Sequence, residues 1–253
     1  MITPDTVSIL IPVYNRESLV CETLASCLAQ TYRDFLLVIF DDGSTDDTVN
    51  VIDMFLKKNL PADMKNRVTF TGSPENRGQG YARIELAKNM LSTDLACWQD
   101  SDDIMRPDRL EKQVALLRSG GYDAVYSYMM FFSGSNPYAT RTMRTIDVKK
   151  WNRDLHSIHN NTNTATALFT RDVANLVPDV AINHGGWDTV WSYAQAVHGM
   201  RLGCVEEPLY YCRRHPGRVV NRRKSPEWVE AYNLEKPVVA NELRKLQDMA
   251  KRP

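Results

Sequence analysis

Long apolar segments are missing from this sequence. The longest apolar runs, such as residues 7–13, fall far short of the roughly 20 residues that a membrane-spanning helix needs. A signal peptide is not expected, because a strand-like run that contains Pro12 begins almost at once. We therefore expect a cytoplasmic protein, either free or in peripheral contact with a membrane surface.

An excess of either sign of charge is missing as well. Lys and Arg together number 31, Asp and Glu together number 31, and the formal net charge is zero. No overall positive field favours nucleic acid as a partner. A local basic stretch at residues 213–224 leaves three interpretations open: a clamp over a diphosphate, a site for an anionic membrane or lipid-linked diphosphate, or a solvated loop. Its arginines are Arg213, Arg214, Arg218, Arg222 and Arg223.

Cysteine is scarce and scattered. The five cysteines are an odd number, and neither a C-x-x-C pair nor a zinc-finger spacing occurs. The sequence therefore predicts reduced thiols rather than a disulfide framework.

The first half of the chain alternates apolar runs with amphipathic stretches, which is typical of βαβ units and a largely parallel sheet. After about residue 120 the order is harder to read, but no low-complexity linker separates the two halves. We expect one domain over residues 1–253. Predicted strands cover residues 7–11, 35–40, 68–71, 95–99, 124–132 and 201–205. Predicted helices carry Val20 to Leu28 and Val49 to Leu56, cover 81–91 and 188–197, and start at Pro107 and Pro226.

Three polar loops follow predicted strands, at residues 12–16, 41–46 and 100–103. In open α/β sheets, ligands bind at the carboxyl ends of strands near the point where the strand order reverses. The coincidence of three such loops therefore indicates a ligand site.

The loop at residues 41–46 supports two interpretations equally. A carboxylate of Asp41 or Asp42 can accept a hydrogen bond from a base or a ribose hydroxyl. Alternatively, the loop is only a turn and helix cap, with Ser44 and Asp47 forming a capping box.

The acidic loop carries the sharper signal. Asp100, Asp102 and Asp103 place three carboxylates within four residues, where they repel one another. A divalent cation removes that repulsion, and hard oxygen ligands suit Mg²⁺ or Mn²⁺. The alternative is a solvated turn that caps the helix starting at Pro107, and we favour the metal.

Arg77 and Arg83 flank the glycines of residues 78–80. Either guanidinium can bind a phosphate, or it can lie on the surface of a helix. The two glycines do not form a dinucleotide-binding fingerprint, because a third glycine is missing.

At this point the series of motifs resembles the family 2 glycosyltransferases, which have the GT-A fold and are mostly inverting enzymes. The resemblance covers the first 120 residues closely and the second half more loosely, where Trp187-Asp188 replaces the family's usual Glu-Asp. It is carried by residues 7–15, 30–32, 41–46, 76–78, 100–103, 107–110 and 208–217.

The resemblance implies an α/β GT-A fold, with a Rossmann-like nucleotide-sugar half at residues 1–120 on a mixed central sheet. A smaller acceptor-side region at 121–224 and a helical segment at 225–253 follow. It implies a metal-dependent, inverting, non-processive transferase that uses a nucleotide diphosphate sugar, most commonly UDP-linked, and a glycan, lipid-linked or protein acceptor. The residues it assigns are Pro12, Tyr14 and Asp42 to the base pocket, Arg83 and Asp100 to the donor, Asp102 and Asp103 to Mn²⁺ or Mg²⁺, and Asp188 to the catalytic base.

Several residues keep alternative interpretations. His215 can reach the metal or a phosphate, although a histidine between arginine and proline is more often structural. Asp188 also suits a helix N-terminus. Trp187 and Trp191 can stack on a sugar, yet their helical spacing is equally that of a core, which we favour for Trp191. The competing functions are a non-catalytic nucleotide-sugar-binding protein and a sugar-phosphate nucleotidyltransferase.

Overall fold

The computed structural model describes residues 2–134, 142–144, 163–183, 186–216 and 225–250. Within these ranges the chain forms a mixed sheet with helices on both faces. The strands are β1 (Val7–Val13), β2 (Phe35–Asp42), β3 (Val68–Ser73), β4 (Leu95–Trp98), β5 (Ile104–Met105), β6 (Ala124–Ser133), β7 (Thr142–Arg144), β8 (Leu168–Thr170) and β9 (Leu202–Arg214). The helices are α1 (Val20–Leu28), α2 (Thr48–Asn59), α3 (Gln79–Ile84), α4 (Arg109–Gly120), α5 (Arg171–Ala174), α6 (Trp187–Val197) and α7 (Pro226–Ala250).

The sheet has the strand order β3-β2-β1-β4-β8-β6-β9-β5, and β7 pairs with β6. Strands β1 to β4 are parallel to one another, as the alternating pattern predicts. Beyond β4 the sheet becomes mixed, since β8 runs antiparallel to β4 and to β6, while β9 runs parallel to β6. The predicted α/β fold with a mixed central sheet is confirmed.

The strand order reverses at β1, because β2 lies on one side of it and β4 on the other. The chain leaves β1 and β4 at the same edge of the sheet. The loop after Val13 and the acidic loop at residues 100–103, called the acidic turn below, therefore face each other across this switch point. Ligands bind at this position in open α/β sheets.

Apolar side chains cover both faces of β1, as expected for a central parallel strand. Ile9 and Ile11 point into one core cluster, and Leu10 points into the other. The second cluster also contains Trp98, Trp187 and other residues of α6 and β4. Helix α6, whose first turn carries the predicted base Asp188, therefore packs against β4, the strand that leads into the acidic turn.

Three details differ from the sequence expectations. Strand β9 continues to Arg214, well past the predicted end at residue 205, and its pairing with β6 shifts register around Pro208. The irregularity hides the strand in the sequence, because Glu-Glu-Pro reads as a strand end. The helix predicted at 81–91 instead starts at Gln79 and widens into a π-helical turn at Glu85–Asn89.

The predicted capping box is wrong. Ser44 does not cap α2; its hydroxyl donates to Asp41 Oδ1, and its backbone N–H donates to Asp41 Oδ2. Asp46 Oδ1 instead accepts the N–H of Thr48, at 3.0 Å.

The C-terminal helix α7 packs against α6. Gly186 precedes α6 with a φ of +89°, and a Cβ there would lie 2.9 Å from Val239 of α7. None of the helices in the described ranges combines the length and apolarity that a bilayer span requires. All five cysteines are free, as predicted.

Candidate functional site

The acidic turn follows β4, and hydrogen bonds from the buried Gln99 hold its backbone in place. The N–H of Gln99 donates to Leu10 O of β1, at 3.0 Å. Its side-chain amide donates to Asp100 O and Asp103 O, at 3.1 and 3.0 Å. Because Gln99 is fully buried, it fixes the backbone of the turn and leaves the three carboxylates to be directed by other partners.

Asp102 lies at the centre of the switch point. Its Oδ2 accepts a hydrogen bond from Arg16 Nε of the loop after β1, at 3.0 Å, and lies 3.0 Å from His215 Nε2. All three side chains are mostly buried. The structure thus brings together two residues that the sequence singled out 113 positions apart, Asp102 and His215.

Asp103 faces the interior rather than the partners of Asp102. Its side chain is only 3% exposed, and its Oδ1 accepts the N–H of Arg213, at 2.7 Å. Burial raises the pKa of Asp103 well above its usual range, and the neighbouring charges of Asp102 and Asp100 raise it further. The sequence named Asp102 and Asp103 for the metal, with His215 as a further candidate. The structure brings His215 to Asp102 and turns Asp103 inward.

The Arg213 side chain holds the turn in place. Its Nε donates to Asp102 O at 3.1 Å, its Nη1 donates to Gly134 O at 2.7 Å, and its Nη2 pairs with Glu22 of α1. Its guanidinium also lies over Phe132. An arginine occupied in this way is not a mobile clamp over a diphosphate, so that interpretation is wrong for Arg213. Arg218, Arg222 and Arg223 of the basic stretch lie outside the described residues.

Asp100 points to the opposite side of the turn, where it meets Arg83. Arg83 Nη2 donates to Asp100 Oδ1 at 2.9 Å. The guanidinium carbon of Arg83 lies 4.8 Å from the ring centre of Trp98 and 5.0 Å from that of Trp187. Arg83 Nη1 has no hydrogen-bond partner within the described residues, although the side chain is buried. A buried donor without a partner is costly, so this nitrogen is available to an additional acceptor.

The predicted base-pocket residues lie at the ends of β1 and β2. Pro12 and Tyr14 are half-buried, and Pro12 is opposite Phe40 in the sheet. The two loops are joined because the N–H of Asn15, which has a φ of +50°, donates to Ser44 Oγ at 2.9 Å.

Asp42 is buried, and the loop at residues 76–78 surrounds its carboxylate. It accepts hydrogen bonds from Asn76 Nδ2 at 3.0 Å, from the N–H of Arg77 at 3.0 Å and from the N–H of Gly78 at 2.7 Å. Burial raises the pKa of Asp42 although the two backbone N–H groups oppose that shift. Through these hydrogen bonds Asp42 holds the loop at residues 76–78. In this loop conformation the Arg77 guanidinium lies over Tyr81, 3.8 Å from its ring centre.

The predicted base, Asp188, lies in the first turn of α6 and is exposed. Within the described residues its carboxylate has no hydrogen-bond or ion-pair partner. Its neighbours on the helix are buried: Trp187 and Trp191 stack with their ring centres 5.6 Å apart, and Trp191 Nε1 donates to Val173 O. Trp191 is therefore a core residue, as predicted.

The metal prediction can be tested against the ligands present. Asp102 offers a carboxylate and His215 an imidazole, both suited to a divalent cation. Within the described ranges no group of three or more His, Cys, Asp or Glu side chains converges as a metal cage. The residues thus fit a cation that takes its other ligands from substrate phosphates and water, as Mg²⁺ typically does.

Three residues of the site were not assigned a role from the sequence. Arg16 lies in the loop after β1, and its position at the end of a predicted strand could have indicated a role in the site. Gln99 and Tyr210 gave no such signal, because a buried glutamine and a tyrosine in an irregular strand read as core. Tyr210 Oη accepts the N–H of Asp100, at 3.2 Å.

The parallel strands, the switch point and the acidic turn define a Rossmann-like α/β protein with a ligand site at its carboxyl edge. The model of glycosyl transferase family 2 matches residues 8–176. The chain belongs to this family, and its architecture is the GT-A fold.

Curated relatives agree with this assignment. An uncharacterized glycosyltransferase of Haemophilus influenzae is 36% identical over 108 residues, which are 43% of this chain and 40% of that protein. The putative glycosyltransferase EpsE of Bacillus subtilis is 32% identical over 127 residues, or 50% of this chain and 44% of that protein. The chain thus matches less than half the length of these two relatives.

Solved structures share the fold over nearly the whole chain. Staphylococcus aureus TarS 1-349 in complex with UDP-GlcNAc superimposes with a TM-score of 0.68 at 18% identity, covering 96% of this chain and 72% of that one. The mannosyltransferase PcManGT of Pyrobaculum calidifontis, in complex with GDP-Man and Mn²⁺, gives a TM-score of 0.61 at 18% identity, with the same two coverages.

Proposed function

We propose that this protein transfers a sugar from a nucleotide diphosphate sugar to an acceptor hydroxyl, with inversion at the anomeric carbon and with a divalent cation bound between Asp102 and His215. The observation that carries the proposal is the pair itself. A carboxylate and an imidazole from distant parts of the chain meet 3.0 Å apart at the switch point of a family 2 glycosyltransferase fold.

The donor is proposed to lie along the carboxyl edge of the sheet. Pro12 and Tyr14 would line the pocket for the base, and Asp42 would support it by fixing the loop that carries Arg77. Two similar structures were solved with nucleotide diphosphate sugars, one with UDP-GlcNAc and one with GDP-Man. We propose a UDP-linked donor for this protein and take a GDP-linked donor as the comparison.

Arg83 and Asp100 would bind the donor on the other side of the acidic turn. Their ion pair is neutral as a unit. The Arg83 Nη1 group has no hydrogen-bond partner among the described residues and can donate to an oxygen of the donor. Asp102 and His215 would hold the cation, which would supply Lewis-acid stabilisation of the negative charge that develops on the leaving diphosphate. Arg16, which contacts the same carboxylate oxygen of Asp102, adds positive charge there.

Asp188 would act as the general base. Its carboxylate removes the proton of the acceptor hydroxyl while that oxygen attacks the anomeric carbon, from the face opposite the leaving diphosphate. Exposure of Asp188 at the first turn of α6 suits contact with an acceptor that arrives from solvent. No Gln-x-x-Arg-Trp signature of processive synthases occurs in the sequence, so we propose transfer of one sugar at a time.

The test is release of free nucleoside diphosphate from a panel of UDP- and GDP-sugars, with MnCl₂, with MgCl₂ and with EDTA. A transferase releases the nucleotide from one class of donor and stops in EDTA. A non-catalytic nucleotide-sugar-binding protein would be stabilised by a donor in a thermal-shift assay without releasing nucleotide. If no donor is cleaved or bound under any of the three conditions, the proposed function is wrong.

A further inference from the structure

A fully buried arginine, Arg109, lies in the first turn of α4 behind the acidic turn. Its guanidinium donates four hydrogen bonds: to Gln113 Oε1 at 3.0 Å, to Gln99 Oε1 at 3.1 Å, and to Trp98 O and Ala165 O, both at 3.1 Å. All four acceptors are neutral. Within the described residues no carboxylate forms an ion pair with Arg109.

The other two arginines that are buried in the described part of the chain differ in this respect. Arg83 pairs with Asp100, and Arg213 pairs with Glu22. A buried charge without a charged partner costs several kcal/mol even when it is hydrogen-bonded, so a neutral side chain would serve better if packing were the only task of Arg109.

Two side chains, those of Gln99 and Tyr210, connect Arg109 to the acidic turn. One residue, Gln99, receives a hydrogen bond from Arg109 and donates two to the turn, at Asp100 O and Asp103 O. A second connection runs through Tyr210: its ring centre lies 5.1 Å from the Arg109 guanidinium carbon, and its hydroxyl accepts the N–H of Asp100.

We propose that Arg109 is a positioning residue that supplies the counter-charge of the acidic turn from inside the protein. Three carboxylates within four residues repel one another, and a cation in the low-dielectric interior offsets that repulsion at a distance. Arg16 and Arg83 pair directly with Asp102 and Asp100 and occupy carboxylate oxygens, whereas Arg109 stabilises the turn through Gln99 and Tyr210. The inference rests on the proposed function only in its view that the turn serves a cation.

Three variants separate the charge of Arg109 from its hydrogen bonds. Arg109→Met removes the charge and keeps an unbranched side chain, whereas Arg109→Lys keeps the charge and loses most of the hydrogen bonds. Gln113→Met disrupts the same network without changing any charge. Each full-length variant is compared with the parent by thermal unfolding and by titration with MnCl₂ alone. We expect Arg109→Met to lower the melting temperature without metal and to bind Mn²⁺ more tightly, by roughly tenfold, because a positive charge near the cation has gone. Arg109→Lys and Gln113→Met should lower the melting temperature and leave the Kd for Mn²⁺ unchanged.

Asp103→Asn supplies a test that does not depend on metal binding. In the Arg109→Met background it should raise the melting temperature by more than it does in the parent or in Gln113→Met, because one negative charge of the turn is removed where the charge of Arg109 is already missing. If Arg109→Met alone does not fold, the soluble yields of the same variants are compared instead of their melting temperatures. Equal effects of Asp103→Asn in all three backgrounds, together with an unchanged Mn²⁺ Kd, would show that Arg109 only provides hydrogen bonds. Failure of the parent to bind Mn²⁺ would count against the proposed metal and leave this coupling test intact.

Discussion

The guanidinium of Arg83 lies over the indole ring of Trp187, 5.0 Å from its centre, while the same guanidinium pairs with Asp100. Trp187 is adjacent in sequence to Asp188, the proposed base. The contact therefore joins the N-terminus of α6 to the donor side of the acidic turn. It also gives the tryptophan that replaces the family's usual glutamate a task in packing.

Replacement of Trp187 by alanine should destabilise the protein and release Arg83. We expect the free energy of unfolding in urea to fall by about 3–5 kcal/mol, because a large buried aromatic side chain is lost. Trp187→Phe retains an aromatic face over Arg83 and should cost less, and it should also keep the donor KM near that of the parent. Trp191→Phe is the matched control, since Trp191 belongs to the same stack, whereas the Arg83 guanidinium lies over Trp98 and Trp187. An unfolding free energy of Trp187→Ala equal to that of the parent would contradict the packing described above.

Loss of either proposed metal ligand should abolish most of the activity. Asp102→Asn and His215→Gln are each expected to lower the rate of nucleotide release in MnCl₂ by roughly 100-fold or more, since few protein groups are available to hold the cation. Mn²⁺ titration of each variant should show a weaker Kd. His198→Gln, at the exposed C-terminal end of α6, is the control and should behave like the parent. Parent-like Mn²⁺ dependence in both ligand variants would exclude this pair as the metal site.

Asp188→Asn should remove the general base and leave the donor site intact. The expected result is a fall in kcat of about 10²–10⁴ with an unchanged Kd for the donor. The control is Asp172→Asn, because Asp172 is also an exposed aspartate in the first turn of a helix and has the same favourable interaction with a helix dipole. If the two substitutions alter kcat equally, Asp188 serves the helix and not the reaction.

Two glycines with positive φ allow a test of the donor-side loop. Gly78 has a φ of +94°, and a Cβ there would lie 2.2 Å from Asn183 Cγ, whereas Gly199 has a φ of +67° with nothing within 4 Å. Gly199→Ala should cost about 1–2 kcal/mol for the left-handed backbone alone. Gly78→Ala should cost clearly more and raise the donor KM, because the loop held by Asp42 must move. Chemical unfolding measures both, and equal costs would mean that Asn183 yields without disturbing the loop.

The buried thiols should make the protein sensitive to alkali. Burial raises the pKa of Cys97 to about 11 and that of Cys204 to about 12, from 9.0 for an ordinary thiol. The unfolded chain therefore loses these protons first as the pH rises, so the stability present below pH 9 decreases between about pH 9 and the folded-state pKa. The slope is about 1.4 kcal/mol per pH unit for each such thiol. Urea unfolding between pH 8 and pH 11 should show a shallower decrease for Cys97→Ala than for the parent, and an identical slope in both would contradict the prediction.

Much of the fold could be predicted because its signals are local. The apolar run of β1 and the spacing of Val20, Leu24 and Cys27 in α1 depend only on the period of a strand or a helix, and the structure confirms both. Strand β9 was predicted too short because its bulge near Pro208 is stabilised by pairing with β6, a partner that the local sequence does not show.

The sequence by itself determined the parallel half of the sheet, the acidic turn at the end of β4 and the aspartates and the histidine from which the site is made. Only the tertiary structure decided how those residues divide their tasks. Asp102 meets Arg16 and His215, whereas Asp103, one position later, turns inward to Arg213. Neighbouring side chains in a turn point in different directions, and their partners come from strands whose register is fixed by long-range pairing. Spacing along the chain therefore brought the carboxylates to the site, and packing across the sheet assigned each of them a partner.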